Sequence, residues 1–200
     1  MSEGELDGRT ARRDRNREAV LDAVLELFNE DTLEPPAAEV AKRSGVSLRS
    51  VYRYYDDKEA LLRAAIERNM VRVQPLLIVD ELANGPLHTR AARLVHSRVE
   101  LYSSVASMVR AALAHARTNQ LLKERLSANR AVLRQQVGEA FANELSAMDE
   151  PDRDDLWTAA DLLLSFESVD QLRAVRNMSN GSIERILVLA LVRLFSPQVD

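Results

Sequence analysis

Three of the four tyrosines in this chain lie within four consecutive positions, 52 to 55, together with an arginine. The surrounding segment SGVSLRSVYRYYDDK, residues 44–58, carries Arg49 and Arg53 and has no acidic residue before Asp56. Arginine can donate two parallel hydrogen bonds to guanine N7 and O6, and tyrosine or serine hydroxyls can donate to phosphate oxygens. These residue types at this spacing predict a surface that binds nucleic acid.

A helix over this segment would place the arginines opposite the apolar side chains. At about 100° per residue, with Val51 at zero, Tyr55 lies at about 40° and Leu48 at about 60°. On the same scale Arg49 lies at about 160° and Arg53 at about 200°. The geometry predicts a buried back and a front that reaches base edges, with the sides formed by Ser50, Tyr52 and Tyr54.

Signals on both sides of the segment complete a helix-turn-helix. Gly45 lies where a helix ends in a left-handed residue, and Ser47 is placed to cap the next helix. Two short helices joined in this way form the motif whose second helix enters the DNA major groove. Lys58 opens the following helix, where it opposes the helix dipole and would be favoured by a nearby phosphate. The alternative is a plain helical hairpin with a polar outer face.

The overall charge is acidic, with a net charge of −4 and a pI near 5.5, which by itself argues against a nucleic-acid partner. Exposed charges more than about 8–10 Å apart are screened at physiological salt, so a local basic face can still act. Residues 9–17 hold five arginines against one aspartate. We therefore predict base contacts by Arg49 and Arg53, and phosphate contacts by Ser47, Ser50, Tyr52, Tyr54, Lys58, Arg12 and Arg13.

Composition excludes several classes of site. The chain has no cysteine, which excludes disulfide frameworks and thiolate metal sites, and its first residues lack the apolar run of a signal peptide. No stretch approaches the roughly 18 apolar residues of a membrane helix. His88, His96 and His115 are not at ligand spacing, so we expect no metal and no cofactor. The expected location is the cytoplasm, without membrane association.

Apolar residues recurring at three- and four-residue spacing predict an all-α chain. After a loose tail at residues 1–8, helices are predicted over about 12–29 and 37–44, over the segment after Ser47, and up to about residue 73. Asp56 and Asp57 are alternative caps for the fourth helix. The joint between Pro75 and Pro86 divides the chain into domains at residues 1–74 and 75–200.

Helix boundaries are less clearly marked beyond Pro86. Residues 87–116 fit either one helix or two, because serines interrupt the apolar stripe. Further helices are predicted over residues 119–148, 154–177 and 182–195, with the acidic loop MDEPDRDD before the second of them. The predicted fold is a three-helix helix-turn-helix domain followed by a larger helical domain.

The stretch VAKRSGVSLRSVYRYYDDKEALL, residues 40–62, resembles the TetR family of bacterial transcriptional regulators. The resemblance implies phosphate contacts for Ser50, Tyr52, Tyr54 and Lys58, and base contacts near Leu48, Arg49 and Arg53. The helical angle places Leu48 toward the core instead. It also implies that the second domain binds a small effector and dimerises. Pro36 departs from the family, which commonly has a threonine or serine there that caps the helix and touches phosphate.

The final predicted helix is apolar on nearly every side. Such a helix is buried on more than one side, and a second copy of the chain is the favoured cover. The alternative is burial within a single chain. The stripe assigned to the dimer interface consists of Ile183, Leu187, Ala190, Leu191 and Leu194.

Few residues mark an effector site. Tyr102 lies on an otherwise aliphatic stripe, and Trp157 and Asp161 stand four residues apart on one helical face. Together they can line a pocket with an aromatic wall and a hydrogen-bonding carboxylate. The alternative is a tyrosine in the core beside a half-exposed Trp–Asp pair.

The favoured function is a dimeric DNA-binding regulator, a repressor released from a palindromic operator by a small molecule. An all-helical metal-carboxylate enzyme would need paired Glu-x-x-His elements, which the sequence lacks. The other alternative is a ligand-binding or adaptor protein whose helix-turn-helix no longer binds DNA.

Overall fold

The structure, a computed structural model, describes residues 3–30 and 32–196, with the side chains of residues 3–9 and 121 outside the description. Every regular element in these ranges is helical, which confirms the predicted all-α class. A 3-10 turn at Gln74–Leu77 follows α4, and a π turn at Gln171–Val175 follows α9. The ten α-helices of the described ranges are α1 Glu3–Asn29, α2 Ala37–Ser44, α3 Leu48–Tyr54, α4 Lys58–Val73, α5 Leu87–His115, α6 Gln120–Ala140, α7 Ala142–Ser146, α8 Glu150–Leu163, α9 Phe166–Asp170 and α10 Asn180–Phe195.

The first of two compact units comprises the chain up to Val73 together with residues 107–123. Its core is formed by one face of α1, including Val24 and Phe28, and by Ile66 of α4, all of them buried. Residues 107–123 are tied to this unit by a hydrogen bond from Asn119 Nδ2 to Glu59 Oε1 at 2.9 Å. No motif or periodicity marks these later residues as part of the unit that contains the first helices, and the domain limits at 74 and 75 stay a prediction.

The helix-turn-helix elements begin and end where the sequence predicts. α2 ends at Gly45, whose φ of 67° is the left-handed conformation that glycine adopts without strain. Pro36 precedes α2 and provides no side-chain cap. Of the two alternative caps for α4, Asp57 is the one used, since its Oδ1 accepts from Ala60 N at 2.7 Å.

α1 is longer than predicted, because it begins at Glu3 and includes most of the segment expected to be a loose tail. Acidic residues precede the arginines in this segment, an order that suits both the helix dipole and i,i+4 pairing. Residues 87–115 form one helix, which settles the alternative left open there.

The second unit comprises residues 74–106 and 124–200. The helix predicted over 119–148 is broken at Phe141, whose buried ring stacks on Phe195 with centroids 4.3 Å apart. The acidic segment predicted as a loop is instead the first turn of α8, where Glu150, Pro151 and Asp152 suit a helix N-terminus. None of the helices in the described residues is long and apolar enough to cross a membrane.

A second break divides the helix predicted over 154–177. α8 ends at Leu163, and Ser165 caps α9 by accepting a hydrogen bond from Ser168 N at 3.2 Å. Since serine is a strong N-cap residue, this break had a signal in the sequence that the periodicity concealed.

Candidate nucleic-acid interface

The helix that carries the candidate base contacts, α3, has only seven residues and depends on a cap and a buried face. Ser47 caps it, because its Oγ accepts from Ser50 N at 3.3 Å. Val51 and Tyr55 are buried, as the helical angles predict. The apolar back of α3 therefore fixes which residues face outward.

Arg49 and Arg53 are exposed on the side of α3 opposite the buried face. Arg53 is held over the Tyr54 ring at 5.3 Å from its centroid, and its Nη2 donates to Ser50 Oγ at 3.4 Å. Among the described residues, no carboxylate forms an ion pair with either arginine. Both guanidinium groups thus keep their charge and most of their donors for an external acceptor.

The sides of α3 present hydroxyl groups. Tyr52 is 52 % exposed, and the Ser50 hydroxyl lies 3.0 Å from that of Ser47. The Tyr54 hydroxyl accepts a hydrogen bond from Asn16 Nδ2 of α1 at 3.5 Å, and this bond lowers the pKa of Tyr54. Asn16, which the sequence did not mark, joins α1 to α3.

Leu48 corrects one of the helical angles. The angle places it toward the core, whereas the structure leaves it 42 % exposed. Leu48 is the first residue of α3, so its side chain extends beyond the end of the buried face. The helical angle gives the direction of a side chain around the helix axis, and it does not give the position of the residue along that axis.

Lys58 forms an ion pair that the sequence did not predict. Its Nζ donates to Glu34 Oε2 at 3.1 Å, and this bond lowers the pKa of Glu34. Both side chains are exposed, so solvent screens the pair and it is weak. Glu34 would therefore compete for Lys58 with the phosphate that the sequence predicts there.

Removing the Glu34 charge should strengthen DNA binding. We expect Glu34→Gln to raise the affinity for DNA of any sequence about two- to fivefold at 0.1 M salt, because it releases Lys58 and removes a negative charge near the phosphates. Fluorescence anisotropy with a labelled duplex measures the change. In the Lys58→Ala background the gain should shrink, and an equal gain in both backgrounds would show that Glu34 does not act through Lys58.

Arg12 and Arg13 of α1 are exposed, as a phosphate contact requires. The charge of Arg13 is among the causes that lower the pKa of Tyr54, so Arg13 lies on the Tyr54 side of α1. Arg43 of α2, by contrast, forms an ion pair within the chain, since its Nη1 lies 2.5 Å from Glu30 Oε1.

The sequence profile described as "Bacterial regulatory proteins, tetR family" matches residues 20–65, which span α1 to α4 from Val20 onward. The match includes the capped helix, its turn and the outward arginines. This segment of the chain matches the TetR family. Among curated proteins no sequence matches significantly.

Solved TetR-like structures resemble the whole chain. A putative TetR-family transcriptional regulator from Rhodococcus sp. has a TM-score of 0.63 at 18 % identity over 90 % of this chain and 99 % of that one. LfrR from Mycobacterium smegmatis, solved with proflavine, gives 0.58 at 22 % identity over 90 % and 96 %. FadR from Bacillus subtilis, solved with stearoyl-CoA, gives 0.63 at 13 % identity over 88 % and 97 %. These likenesses show that the fold of this chain resembles that of the three regulators.

The residues predicted to line an effector pocket lie in this TetR-like second unit. Tyr102 is buried and donates to Leu164 O at 3.2 Å, and its burial raises its pKa to about 12. Trp157 Nε1 donates to Arg134 O at 3.0 Å. Arg134 also lies over the Trp157 ring at 4.6 Å and contacts Asp161 Oδ2 at 3.4 Å. Trp157 and Asp161 thus share Arg134.

The predicted dimer stripe is largely internal. Ile183, Leu187 and Leu191 are buried in their own chain, so the structure does not offer them to a partner. Ala190 and Leu194 are partly exposed. The exposed large apolar residues of α8, the π turn and α10 are Leu162, Val175, Ile186 and Leu189.

One group of side chains has the composition of a metal site. His96 and Glu100 of α5 meet Glu184 of α10, with ligand atoms all within 4.8 Å of one another. His96 Nδ1 already lies 2.9 Å from Glu184 Oε1 in a hydrogen bond. The spacing of the histidines along the chain, from which no metal is expected, does not account for ligands that come together from two different helices.

Proposed function

We propose that the chain is a dimeric TetR-type DNA-binding regulator, a repressor that leaves a palindromic operator when a small molecule binds its second unit. The observation that carries the proposal is the outward face of α3. Two arginines without carboxylate partners among the described residues lie opposite the buried Val51 and Tyr55. Such a face suits bidentate hydrogen bonds to guanine in the major groove.

The proposed phosphate contacts surround this face. Tyr52 and Ser50 lie at its sides, Lys58 opens α4, and the exposed Arg12 and Arg13 lie on α1. Hydroxyls and cations on both sides of a groove-binding helix would fix its register along the duplex, while the arginines would read sequence. The weak Lys58–Glu34 pair would exchange for a phosphate on binding.

Dimerisation would use the exposed side of α10 rather than its buried stripe. Leu189 is 54 % exposed, and Ile186 lies one turn earlier on the same helix. Leu162 and Val175 add exposed apolar surface in the elements before α10. A second copy would remove this surface from water, and the two α3 helices of the dimer would bind half-sites about 34–36 Å apart or multiples of it.

A small-molecule effector would act by population shift. It must bind the form that cannot bind DNA more tightly than the form that can, by about 5.5 kcal/mol for a shift from 1:99 to 99:1. The TetR-like neighbours LfrR and FadR were solved with proflavine and stearoyl-CoA, which are very different molecules. Their ligands therefore support an effector role without naming the effector of this chain.

The salt dependence of DNA binding tests the proposal. With about four phosphates contacted per half-site, or about eight per dimer, log affinity should fall against log salt with a slope of roughly −7. The measurement is a gel shift or anisotropy titration with the DNA upstream of the chain's own gene, at several salt concentrations. A flat response would remove the phosphate assignments and favour an adaptor that does not bind DNA.

A further inference from the structure

Arg98 of α5 is a buried cation held only by neutral groups. It is 1 % exposed, and its guanidinium donates to Gln136 Oε1 and to Leu133 O, both at 2.8 Å. Burial lowers the pKa of Arg98, although a guanidinium stays protonated at neutral pH. Among the described residues, no carboxylate forms an ion pair with it.

A second buried arginine on the same helix has a carboxylate partner, as buried charges usually do. Arg90 is 3 % exposed and forms a bidentate pair with Glu144, with N–O distances of 2.6 and 2.9 Å. Buried charges are rarely left without an opposite charge, since desolvating an unpaired ion is costly. Arg98 departs from this rule within the same unit.

Two carboxylates of the same unit are already paired with other cations. Asp161 acts electrostatically on Arg98, but its Oδ2 contacts Arg134. Glu167, which like Asp161 and Arg98 acts on Tyr102, is paired with Arg130. Each of these pairs is neutral in itself, so neither carboxylate is left to balance the charge of Arg98.

The surroundings of this charge are aromatic and apolar. The Tyr102 ring meets Phe166 edge to face with centroids 5.5 Å apart. The hydroxyl of Tyr102 and the indole N–H of Trp157 both donate to backbone carbonyls, so these rings present apolar surface rather than donors. A ligand beside Arg98 would meet a cation that has no carboxylate partner among the described residues, next to aromatic rings.

We propose that the effector is an apolar or aromatic molecule bearing a single carboxylate, which binds the guanidinium of Arg98 in place of Gln136 or Leu133. The assignment rests on the proposed effector-controlled function, and it names the chemical class of the effector. A carboxylate would give Arg98 the bidentate partner that Arg90 has in Glu144. Gln136 is a side-chain amide and can be replaced without leaving a buried charge.

Matched acids and amides test the proposal, because they differ in charge and hardly in shape. Binding of 2-naphthoate against 2-naphthamide, and of decanoate against decanamide, is measured by calorimetry on the full chain in buffer free of phosphate and carboxylates. In the wild type each acid should bind at least about tenfold more tightly than its amide. The preference should fall to about twofold or less in Arg98→Met and persist in Arg98→Lys.

Three results would overturn the proposal: equal binding of acid and amide, an acid preference that survives in Arg98→Met, or no binding by either acid. Circular dichroism confirms that each variant is folded, and Arg98→Gln, which also removes the charge, takes the place of Arg98→Met if Arg98→Met is not folded. A DNA titration tests the proposed regulator function separately from the proposed effector class. DNA binding without an acid preference would contradict only the proposed effector class. An Arg98-dependent acid preference without DNA binding would contradict only the proposed regulator function.

Discussion

Replacing Arg53 with alanine should abolish base preference at one pair of symmetry-related positions in the operator. A bidentate arginine–guanine contact contributes about 1–3 kcal/mol of discrimination, and a dimer makes two of them. The ratio of specific to non-specific affinity should therefore fall by about 30-fold or more. Arg53 is favoured over Arg49 for this effect because Tyr54 and Ser50 hold its guanidinium in place, so less side-chain entropy is lost on binding.

The measurement is selection from a random duplex pool with wild-type protein and with Arg53→Ala, followed by affinities for the recovered sites. Tyr52→Phe is the matched control, since it removes one exposed hydroxyl from the side of the same helix. It should weaken all sequences to a similar extent and leave the selected motif unchanged. An unchanged motif from Arg53→Ala would show that Arg53 does not read bases.

The helix-turn-helix could be predicted to the residue because its signals are local. Pro36, Gly45 and Ser47 each act on their own backbone, and the structure places the ends of α2 and the start of α3 beside them. The buried Val51 and Tyr55 follow from the helical period alone. Where a feature depends on a few neighbouring residues, sequence is sufficient.

The rest of the fold depends on contacts between distant residues. The break at Phe141 involves stacking against Phe195, 54 residues away along the chain, and the nearby Gly138 lies within α6 rather than at the break. In α10 the sequence shows an apolar helix but cannot tell its buried stripe, Ile183 and Leu187, from its exposed one, Ile186 and Leu189. Periodicity defines the faces of a helix and leaves their partners open.

The partners of buried arginines in the second unit cannot be read from the sequence either. Arg90 and Arg98 lie eight residues apart on α5, and in sequence both read as ordinary polar positions. Their partners, Glu144 and Gln136, lie on the later helices α7 and α6. Only the three-dimensional structure therefore distinguishes an arginine that is paired with a carboxylate from one that is not. The same holds for Lys58, whose partner Glu34 lies before α2.

The two buried arginines should differ widely in their response to the same substitution. Arg90→Met should lower the free energy of unfolding by about 3–5 kcal/mol, because it leaves the partly buried Glu144 without its partner. It also removes the donors to Gly85 O and Ala140 O. Arg98→Met removes a cation that has no carboxylate partner among the described residues, so its cost should be below about 1 kcal/mol or even reversed.

Urea unfolding at neutral pH measures both variants, and pH provides an independent readout. Arg90 holds the pKa of Glu144 below its ordinary value of 4.5. A carboxyl group whose pKa is lowered in the folded state stabilises the protein above its unfolded pKa, and this contribution is lost as the pH falls through the folded pKa. The wild type should therefore lose stability below about pH 4.5, and Arg90→Met should lose less over the same range.

Equal losses from Arg90→Met and Arg98→Met would mean that the Glu144 pair contributes no more than the neutral contacts of Arg98. The double variant Arg90→Met/Glu144→Leu decides the cause of a large loss. If the cost comes from an unpaired carboxylate, removing Glu144 as well should recover most of it. If the cost comes from the carbonyls of Gly85 and Ala140 instead, the double variant should stay as unstable as Arg90→Met alone.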